Sequence, residues 1–487
     1  MKIDVLLTCD RTLMSNHHGK EFLGFGTSAP PNWIPELIFR QLFFPKMKKV
    51  DGLPWQAPYG LRKIEAKLID EGIDAIVVDP DDLAGYKAKV IGIYVMDAFG
   101  WGPSSTTFAG IMKTGEPYLA KYFKKLLRSR GYKKLKAHGA KTIVGGPAAW
   151  QFRFKPEFLD EYGIDCVFEG EGEMAVHLIK KALDGEELPK FYKESKVPAI
   201  EEIPEIKRAS VNGLVEIGRG CPRGCKFCSV TLRPLRWYPY EKIEKEMKVN
   251  VEAGVKGGIL HAEDVLLYGQ RGVIPNEEKI IKLNEMAKKY YNIISWSHAS
   301  FAAVAAKPKI IEKVAEIICD EKQRWWGAEM GIETGSPELI KKAMPAKAKP
   351  FKPEEYPEVV KQAAGIITDN NMIPACTLIA GLPEEEEEDI IKTIELIEDL
   401  KDFKSLIVPL FFVPMGKLKE KDWFRKEEMS ELHKELFIKC MLHNLRWVKE
   451  ITNDYFRGKK VHSIIKPFYI LFVKLIEWQA KKKGVLE

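Results

Sequence analysis

The chain has 487 residues, of which 45% are hydrophobic and 30% are charged, which is enough apolar material for packed cores and excludes a largely disordered chain. The formal net charge of +7 is small for this length and argues against a dedicated nucleic-acid-binding protein. Eight unevenly placed cysteines exclude a disulfide scaffold and favour the reducing cytoplasm, where closely spaced cysteines more often bind metal. We expect neither a signal peptide nor a membrane-spanning segment.

Residues 1–192 alternate short β-branched apolar runs with helix-like segments, and this pattern predicts a doubly wound parallel sheet. The predicted strands are 2–8, 74–79, 89–96, 141–145 and 166–169, and the predicted helices are about 59–71, 118–130 and 173–183. The connection over residues 10–58 is rich in aromatics, Gly and Pro. A connection this long is either a functional lid or a covering insertion without chemistry.

Residues 193–212 form a polar, Pro-punctuated stretch that predicts a linker. A second alternating series follows over residues 213–426. Its predicted strands are 213–217, 258–260, 293–297, 325–332, 376–380 and 406–412, and its helices include 240–253, 276–290, 309–318, 353–370 and 384–400. Six β/α units predict a partial (β/α)6 TIM-type barrel with its site at the carboxyl ends of the strands. Residues 427–487 are predicted to form a C-terminal helical region.

The strongest local signal is a Gly- and Pro-rich loop directly after the first of these strands, in which Cys221, Cys225 and Cys228 have a C-x3-C-x2-C spacing. Three thiolates on one loop can bind three irons of a 4Fe–4S cluster and leave the fourth iron without a protein ligand. An open coordination position is typical of a catalytic metal centre. The alternative is zinc, which prefers paired C-x2-C units and a fourth ligand, and no second pair occurs in the sequence.

This loop, with the aromatic Phe227 before its last cysteine, resembles the signature of the radical SAM superfamily. The resemblance implies that the three cysteines hold a 4Fe–4S cluster whose open iron is chelated by S-adenosylmethionine (SAM). It further implies one-electron cleavage of SAM to a 5′-deoxyadenosyl radical, which abstracts hydrogen from an unactivated carbon. A reductant of the ferredoxin or flavodoxin type is the expected electron donor.

Later segments resemble the SAM-binding strand ends of this superfamily in the expected order. The resemblance assigns Glu263 or Asp264 to the ammonium group of SAM, because a carboxylate is the partner that an ammonium needs. It places Glu333 near the ribose and Gly381 near the adenine. Ser297, at a strand end, is read either as a cofactor or substrate contact or as a core residue.

The first domain resembles the cobalamin-binding domain that precedes many radical SAM cores. That domain commonly carries D-x-H-x-x-G, whose histidine ligates cobalt, but here Phe99 replaces the histidine and an apolar ring has no lone pair to donate. The residues expected at this cobalamin-like site are Asp97, Phe99, Gly102, Gly145, Gly146, Gly170, Glu171 and Gly172. Three interpretations stay open: cobalamin bound without a protein lower ligand, a relic domain without cofactor, or a domain used for substrate.

Residues 459–483 flank bulky apolar and aromatic side chains with lysines, which suits a helix lying in a membrane interface. The alternative is a terminal helix docked on the barrel. Together with the aromatic-rich connection, this tail predicts a hydrophobic substrate, foremost a membrane lipid modified by C–C bond formation, and peripheral contact with the inner face of the membrane. The Lys- and Glu-rich composition is compatible with a thermophile, which makes an archaeal lipid-modifying enzyme a specific form of this hypothesis.

Three other functions are weighed against it. A cobalamin-dependent radical SAM methyltransferase is weakened by Phe99. A tRNA-modifying enzyme is weakened by the modest net charge and by the lack of a recognisable RNA-binding domain, so nucleic acid is not the expected partner. A non-enzymatic zinc-binding scaffold would use the same cysteine loop.

Overall fold

The computed structural model describes residues 2–32, 34–457 and 460–482. The chain divides into two compact units, one formed by Met1–Val215 with Glu244–Val255 and the other by Glu216–Ile243 with Lys256–Glu487. Across the described residues, no helix is both long enough and apolar enough to cross a membrane. The predicted interfacial segment 459–483 begins and ends on residues that lie outside the described ranges.

The first unit is built on a parallel sheet whose strands, among the described residues, have the order β4-β1-β5-β6-β7-β8. The strands of this unit are β1 (Lys2–Cys9), β2 (Lys49–Val50), β3 (Leu53–Pro54), β4 (Ala75–Val77), β5 (Lys87–Tyr94), β6 (Lys141–Gly145), β7 (Cys166–Glu169) and β8 (Phe191–Lys193). Strand β1 lies inside the sheet, with Val5 opposite both Ala75 and Val90. Its near-continuous apolar run follows from this position, because a parallel sheet is covered on both faces.

Helices cover both faces of this sheet. They are α1 (Glu36–Phe43), α2 (Tyr59–Asp70), α3 (Pro103–Met112), α4 (Tyr118–Arg128), α5 (Arg130–Ala137), α6 (Glu157–Tyr162) and α7 (Val176–Leu183). Neighbouring residues of one strand face opposite cores: Ile91 packs in the cluster that contains Phe123, and Val90 packs in the cluster that contains Leu61. The sequence predicted α2, α4 and α7 but not α1, α3, α5 and α6.

The long connection over residues 10–58 is a packed layer. Its helix α1 places the Phe39 ring 4.6 Å from the ring of Tyr118, and the Phe44 ring stands edge-on to Tyr122 at 5.2 Å. Phe39 and Phe44 are fully buried. The segment therefore covers helix α4, which matches the covering insertion rather than a lid.

The second unit holds the strands of the predicted barrel. These and the short strands beside them are β9 (Leu214–Glu216), β10 (Gly218–Arg219), β11 (Arg236–Trp237), β12 (Gly257–His261), β13 (Ile293–Trp296), β14 (Glu329–Glu333), β15 (Ala375–Ala380) and β16 (Leu406–Phe411). Two sheets have the orders β13-β12-β9 and β14-β15-β16, and a parallel bridge between His298 and Glu329 joins them. The prediction of a mixed α/β chain with parallel sheets is confirmed.

Helices alternate with these strands. They are α8 (Tyr240–Glu252), α9 (Glu277–Tyr290), α10 (Phe301–Ala306), α11 (Pro308–Ile318), α12 (Pro337–Ala343), α13 (Tyr356–Asp369), α14 (Glu387–Asp399), α15 (Glu431–Tyr455) and α16 (Lys460–Lys482). The later turns of α8 belong to the first unit. Strand β14 begins at Glu329 rather than at the predicted residue 325, although Trp326 still forms an isolated parallel bridge with Met372.

Helix α15 covers the outer edge of β16. The Asn444 side-chain amide accepts from Ile407 N and donates to Ile407 O, both at 2.7 Å. In the preceding residue, His443 Nε2 lies 3.0 Å from the Ser405 hydroxyl, and near the end of α15 Asp454 pairs with Lys404 Nζ at 2.7 Å. These contacts give the backbone of β16 partners on the side that faces away from β15.

We expect the docking of α15 to weaken in acid. Burial lowers the pKa of His443 to about 4, whereas an unfolded histidine titrates near 6.5. The stabilisation is therefore complete above pH 6.5 and is lost as the pH falls towards 4, by on the order of 3 kcal/mol. The protection factors for hydrogen exchange within residues 431–455, which are corrected for the intrinsic pH dependence of exchange, should fall over this window in the native protein.

The control is His443→Gln, which keeps a polar side chain but does not titrate. In this variant, the protection factors within α15 should lose the part of their pH dependence between 6.5 and 4 that His443 causes. Exchange is measured within α15 alone because burial also lowers the pKa of His17, in the first unit, to about 4. Protonation of His17 therefore lowers the global stability over the same pH range. An identical pH response in native and variant α15 would contradict the prediction.

Candidate active site

The three cysteines of the C-x3-C-x2-C motif lie on one loop between β10 and β11, after the first barrel strand. Cys225 is buried, and Cys221 and Cys228 are half-buried. Burial raises the pKa of the Cys221 thiol to about 12 and also raises the pKa of the other two. Such thiols ionise only beside a cation, and thiolate sulfur is the donor that iron–sulfur clusters take. The donor set therefore fits a cluster, although no three Cys, His, Asp or Glu side chains in the described ranges are already gathered as a metal site.

Arg223, inside the cysteine loop, anchors the loop to the barrel. Its guanidinium donates from Nε and Nη2 to Asp264 Oδ2 at 3.3 Å and from Nη2 to the Ser300 hydroxyl at 2.7 Å. Its Nη1 donates at 3.1 Å to the carbonyl oxygens of Ala346, Lys347 and Lys349. Arg223 is 5% exposed, so all these bonds form away from solvent. These bonds give Arg223 a structural role.

Further contacts, with the end of helix α12, with Gly416 and with Thr231, hold the backbone of the loop. Lys226 N donates to the Ala343 carbonyl oxygen at the end of α12, at 2.9 Å. Gly416 lies so close that a Cβ would stand 2.6 Å from Lys226 O and 2.8 Å from Cys228 O, and its φ of +59° also favours glycine. The Thr231 hydroxyl donates to Cys228 O at 2.8 Å. The loop is thus fixed by chain segments far apart in sequence.

The two carboxylates that the sequence could not choose between have different surroundings. Asp264 is buried, and Ser300 as well as Arg223 bonds to its Oδ2, at 2.5 Å from the Ser300 hydroxyl. Its Oδ1 is buried without a hydrogen-bond partner. Glu263 is half-buried, makes no hydrogen bond or ion pair to a described residue, and lies close enough to Cys228 to contribute to the raised pKa of that thiol. Unpaired carboxylate oxygens beside the cysteine loop fit the ammonium group of SAM.

Glu333 ends strand β14 in a left-handed conformation, with φ of +67°. Lys347 Nζ lies 3.1 Å from its Oε1, and the Thr377 hydroxyl lies 3.2 Å from its Oε2. Burial alone would lower the pKa of Lys347, but the charges of Glu333, Tyr356 and Cys225 and the hydrogen bond to Glu333 together outweigh burial and raise this pKa. Cys225 belongs to the same electrostatic environment, because Lys347 lowers and Glu333 raises the pKa of its thiol. Sequence reasoning missed Lys347, which stands in a loop without a motif.

Ser297 and Gly381 both contact neighbouring residues of the protein. The Ser297 hydroxyl donates to Ala262 O at 2.9 Å and accepts from Ala262 N at 3.2 Å, so it joins β12 to the end of β13. A Cβ on Gly381 would stand 1.9 Å from the Phe424 ring, and the φ of Gly381 is +78°. Phe227 is half-buried within the cysteine loop.

The barrel strands present two different inner walls. Alternate residues of a strand share a face. Buried and half-buried residues alternate on β15, whereas β12 is half-buried only at its two end residues and β16 has a half-buried run over Val408–Leu410. We assign a half-buried set from these strands and their ends to the inside. On the strands next to the cysteine loop, this set is Glu216, His261, Glu263 and Glu329. On β15 and β16 it is Ala375, Thr377, Ile379, Leu406, Val408 and Leu410. At these positions part of each side chain is exposed, and the side chains are polar on the first set of strands and largely apolar on β15 and β16.

The residues expected at a cobalamin-like site in the first unit contact neighbouring protein atoms. Asp97 accepts from Trp101 N at 2.8 Å, from Gln151 Nε2 at 2.9 Å and from Gly102 N at 3.1 Å. Phe99 is buried, with its ring 5.0 Å from the ring of Phe158. It faces the hydrophobic core and cannot ligate a metal.

The glycines of this region meet the chain's own atoms. A Cβ on Gly146 would stand 2.6 Å from Val95 O, and one on Gly172 would stand 2.3 Å from the Ile64 side chain. Gly102, Gly145 and Gly170 likewise lie against neighbouring protein atoms, and Glu171 is buried. Because close packing explains the glycines and the residue set has no cobalt ligand, these residues do not fit a cobalamin held by the protein.

Comparison with known proteins agrees with the interpretation of the cysteine loop as a cluster-binding motif. Residues 215–397 match the family model of the radical SAM superfamily. The chain therefore contains a radical SAM domain, and this family implies a 4Fe–4S cluster and SAM as cofactors. The prediction of this domain from Cys221, Cys225 and Cys228 is confirmed at that level.

Several curated proteins are similar over longer stretches. A tRNA-2-methylthio-N(6)-dimethylallyladenosine synthase from Thermotoga petrophila is 23% identical over 336 residues, which cover 68% of this chain and 72% of that protein. The ribosomal protein uS12 methylthiotransferase RimO from Petrotoga mobilis is 24% identical over 236 residues, 46% of this chain and 48% of that protein. Neither of these two relatives is named as a lipid-modifying enzyme.

A solved structure is similar in fold. The radical SAM methyltransferase TsrM from Kitasatospora setae, with tryptophan and a SAM analogue bound, aligns with a TM-score of 0.55 and 13% identity over 85% of this chain and 74% of that one. At this identity the likeness concerns the fold alone.

We expect Arg223→Gln to destabilise the second unit. The change leaves Asp264 buried without its cationic partner and removes donors from three carbonyl oxygens, and breaking such a buried pair costs about 3–5 kcal/mol. Denaturant unfolding measures this loss. Glu263→Gln is the matched control, because Glu263 has no ion pair to lose and its removal should change stability by less than about 0.5 kcal/mol. Equal stability of the two variants would contradict the anchoring role.

Proposed function

We propose that this chain is a radical SAM enzyme that functionalises an unactivated carbon of its substrate. The observation that carries the proposal is the cysteine loop itself: three sulfur donors on one loop, anchored by Arg223, with Glu263 unpaired beside Cys228. When bound, the cluster and SAM supply a one-electron cleavage whose carbon radical can remove hydrogen from a C–H bond without acidity. Residues 213–426 carry this chemistry in the proposal, flanked by a first domain over 1–192, a linker over 193–212 and a helical region over 427–487.

In this proposal the protein holds and orients the reactants. Cys221, Cys225 and Cys228 ligate the cluster, and Glu263 takes the ammonium group of SAM through a charge-assisted hydrogen bond. Asp264 acts through Arg223 and keeps the loop in place. Glu333 is held by Lys347 and Thr377 at the end of β14, where its carboxylate can meet the ribose hydroxyls. No step involves cobalamin, because the residues of the first unit do not fit it.

Cys225→Ala tests the proposal. Without this ligand, anaerobically prepared protein should lose the brown chromophore, most of its roughly four irons and all reductive cleavage of SAM. Cys319→Ala is the matched control, since Cys319 is a solitary half-buried cysteine and its loss should leave iron content and cleavage intact. Glu263→Gln should keep the iron but weaken SAM binding about tenfold. Full cleavage activity in Cys225→Ala would refute the proposal.

Two substrate classes are supported by different observations. The printed names of the relatives support modification of tRNA or of a ribosomal protein. Methylthio transfer also needs a sulfur donor beyond SAM. Outside the loop, Cys9, Cys166, Cys376 and Cys440 are each buried and Cys319 is half-buried, and no two of these five cysteines are close in sequence. For an RNA substrate we therefore assign to this chain the radical step at carbon.

The second class is a hydrophobic substrate such as a lipid chain, and the apolar inner wall of β15 and β16 favours it. Ile379, Leu406, Val408 and Leu410 are half-buried in the barrel interior, so their apolar surface is available to a bound molecule. An alkyl chain gains about 25 cal/mol for each Å² of apolar surface that it removes from water there.

One experiment separates the two classes. The reduced holoenzyme is incubated with SAM and either perdeuterated tRNA or perdeuterated membrane lipids, and 5′-deoxyadenosine is analysed by mass spectrometry. The true substrate transfers one deuterium to the nucleoside, whereas the other preparation leaves it unlabelled. Ile379→Glu should abolish the transfer from lipid by placing a charge on the apolar wall, and it should affect transfer from tRNA far less. Deuterium from tRNA alone would exclude the lipid class.

A further inference from the structure

Helix α16 has two apolar faces, and the part of the chain that the structure describes covers one of them. Tyr469 and Val473 are 6% and 7% exposed, and the Tyr469 ring stacks on Phe456, which follows α15, at 4.8 Å. This inner face docks the helix onto the second unit. Four other apolar side chains of the helix are largely exposed: Ile464, Phe468, Leu471 and Trp478. Their spacings of four, three and seven residues place them on one side of the helix, and we call this set the outer stripe.

The charges around the outer stripe have one sign. Lys474 and Lys482 are exposed, and Lys482 Nζ lies 5.3 Å from the centre of the Trp478 ring. The helix contains one acidic residue, Glu477, which pairs with Lys449 of α15 at 2.8 Å and is therefore turned towards the protein. The described outer surface of α16 is thus apolar and cationic without a carboxylate.

A groove of about 920 Å³ runs beside the outer stripe, between the end of α15 and α16. Leu471 belongs to both the stripe and the groove. The groove is lined by the cationic side chains Arg457, Lys466 and Lys474, by the apolar Phe456, Pro467, Ile470 and Leu471, and by Asn453 and Ser463, with no acidic side chain among them. Cations next to apolar surface are what an anionic headgroup on a hydrocarbon chain requires.

We propose that helix α16 docks the protein on an anionic phospholipid surface, with the outer stripe in the headgroup–acyl boundary and a lipid phosphate in the groove. The spacing of the stripe also resembles the seam of a two-stranded coiled coil. A second copy is the poorer occupant, because such a seam is stabilised by opposite charges at its flanks and here the flanking charges repel each other. The inference does not rest on the proposed radical chemistry, since docking is measured without SAM.

Vesicle sedimentation of the anaerobically prepared full-length protein tests the proposal. Binding to vesicles of equimolar phosphatidylglycerol and phosphatidylcholine should be strong at low salt and should fall as salt is raised. Pure phosphatidylcholine should bind little. Leu471→Glu should weaken partitioning about tenfold or more, since burying one leucine contributes about 1.5–3 kcal/mol. Leu37→Glu is the matched control, because Leu37 is an equally exposed leucine on helix α1, and it should bind like the native protein.

Two further measurements keep the proposal falsifiable. Brominated anionic lipid should quench part of the tryptophan fluorescence, and Trp478→Phe should remove that quenched component. The double variant Arg457→Gln/Lys474→Gln should bind vesicles with a shallower salt dependence, whereas Lys133→Gln, at an exposed lysine of α5, should not. The proposal is overturned if Leu471→Glu and Leu37→Glu bind vesicles equally, or if Leu471→Glu instead converts a dimer to a monomer in light scattering.

Discussion

The guanidinium of Arg223 is the group on which the geometry of the second unit depends. It lies inside the loop that carries the three cysteines, and it bonds to Asp264 after the second barrel strand, to Ser300 after the third and to the carbonyl oxygens after helix α12. A loop with two left-handed glycines, Gly220 and Gly224, has little rigidity of its own. Because one buried cation joins it to several elements, the loop has a single position relative to the strand ends, and three sulfur donors can serve one cluster.

Much of this arrangement could be predicted from the sequence, because it depends on local patterns. The C-x3-C-x2-C spacing and the alternation of strands and helices gave the chemistry and the parallel α/β organisation. The partners of Arg223 and the ion pair of Lys347 with Glu333 could not be predicted, because they join residues more than ten positions apart and no motif marks them. Short helices such as α10 and α12 escaped prediction because six or seven residues show no reliable periodicity.

The first unit carries a sequence pattern that is typical of a cofactor site, but the residues of this pattern contact other parts of the protein. The glycines and Asp97 stand where a cofactor-binding loop would have them, yet Gly146 and Gly172 make room for the chain's own atoms and Asp97 bonds to its own loop. Phe99 is packed against Phe158 in the core. The same residues that suggest a ligand site in sequence are here explained by packing. The half-buried apolar residues of β16 are the opposite case. Their sequence is that of an ordinary barrel strand, yet part of their apolar surface is exposed.

The amide of Asn444 has a consequence for the behaviour of the protein in a crowded cell. A barrel of six strands is not closed, and the last strand of an open sheet is a template on which another chain can add by backbone pairing. Asn444 occupies the Ile407 N–H and C=O that such a chain would use. Asn444 therefore protects this edge of β16 from pairing with the backbone of another chain.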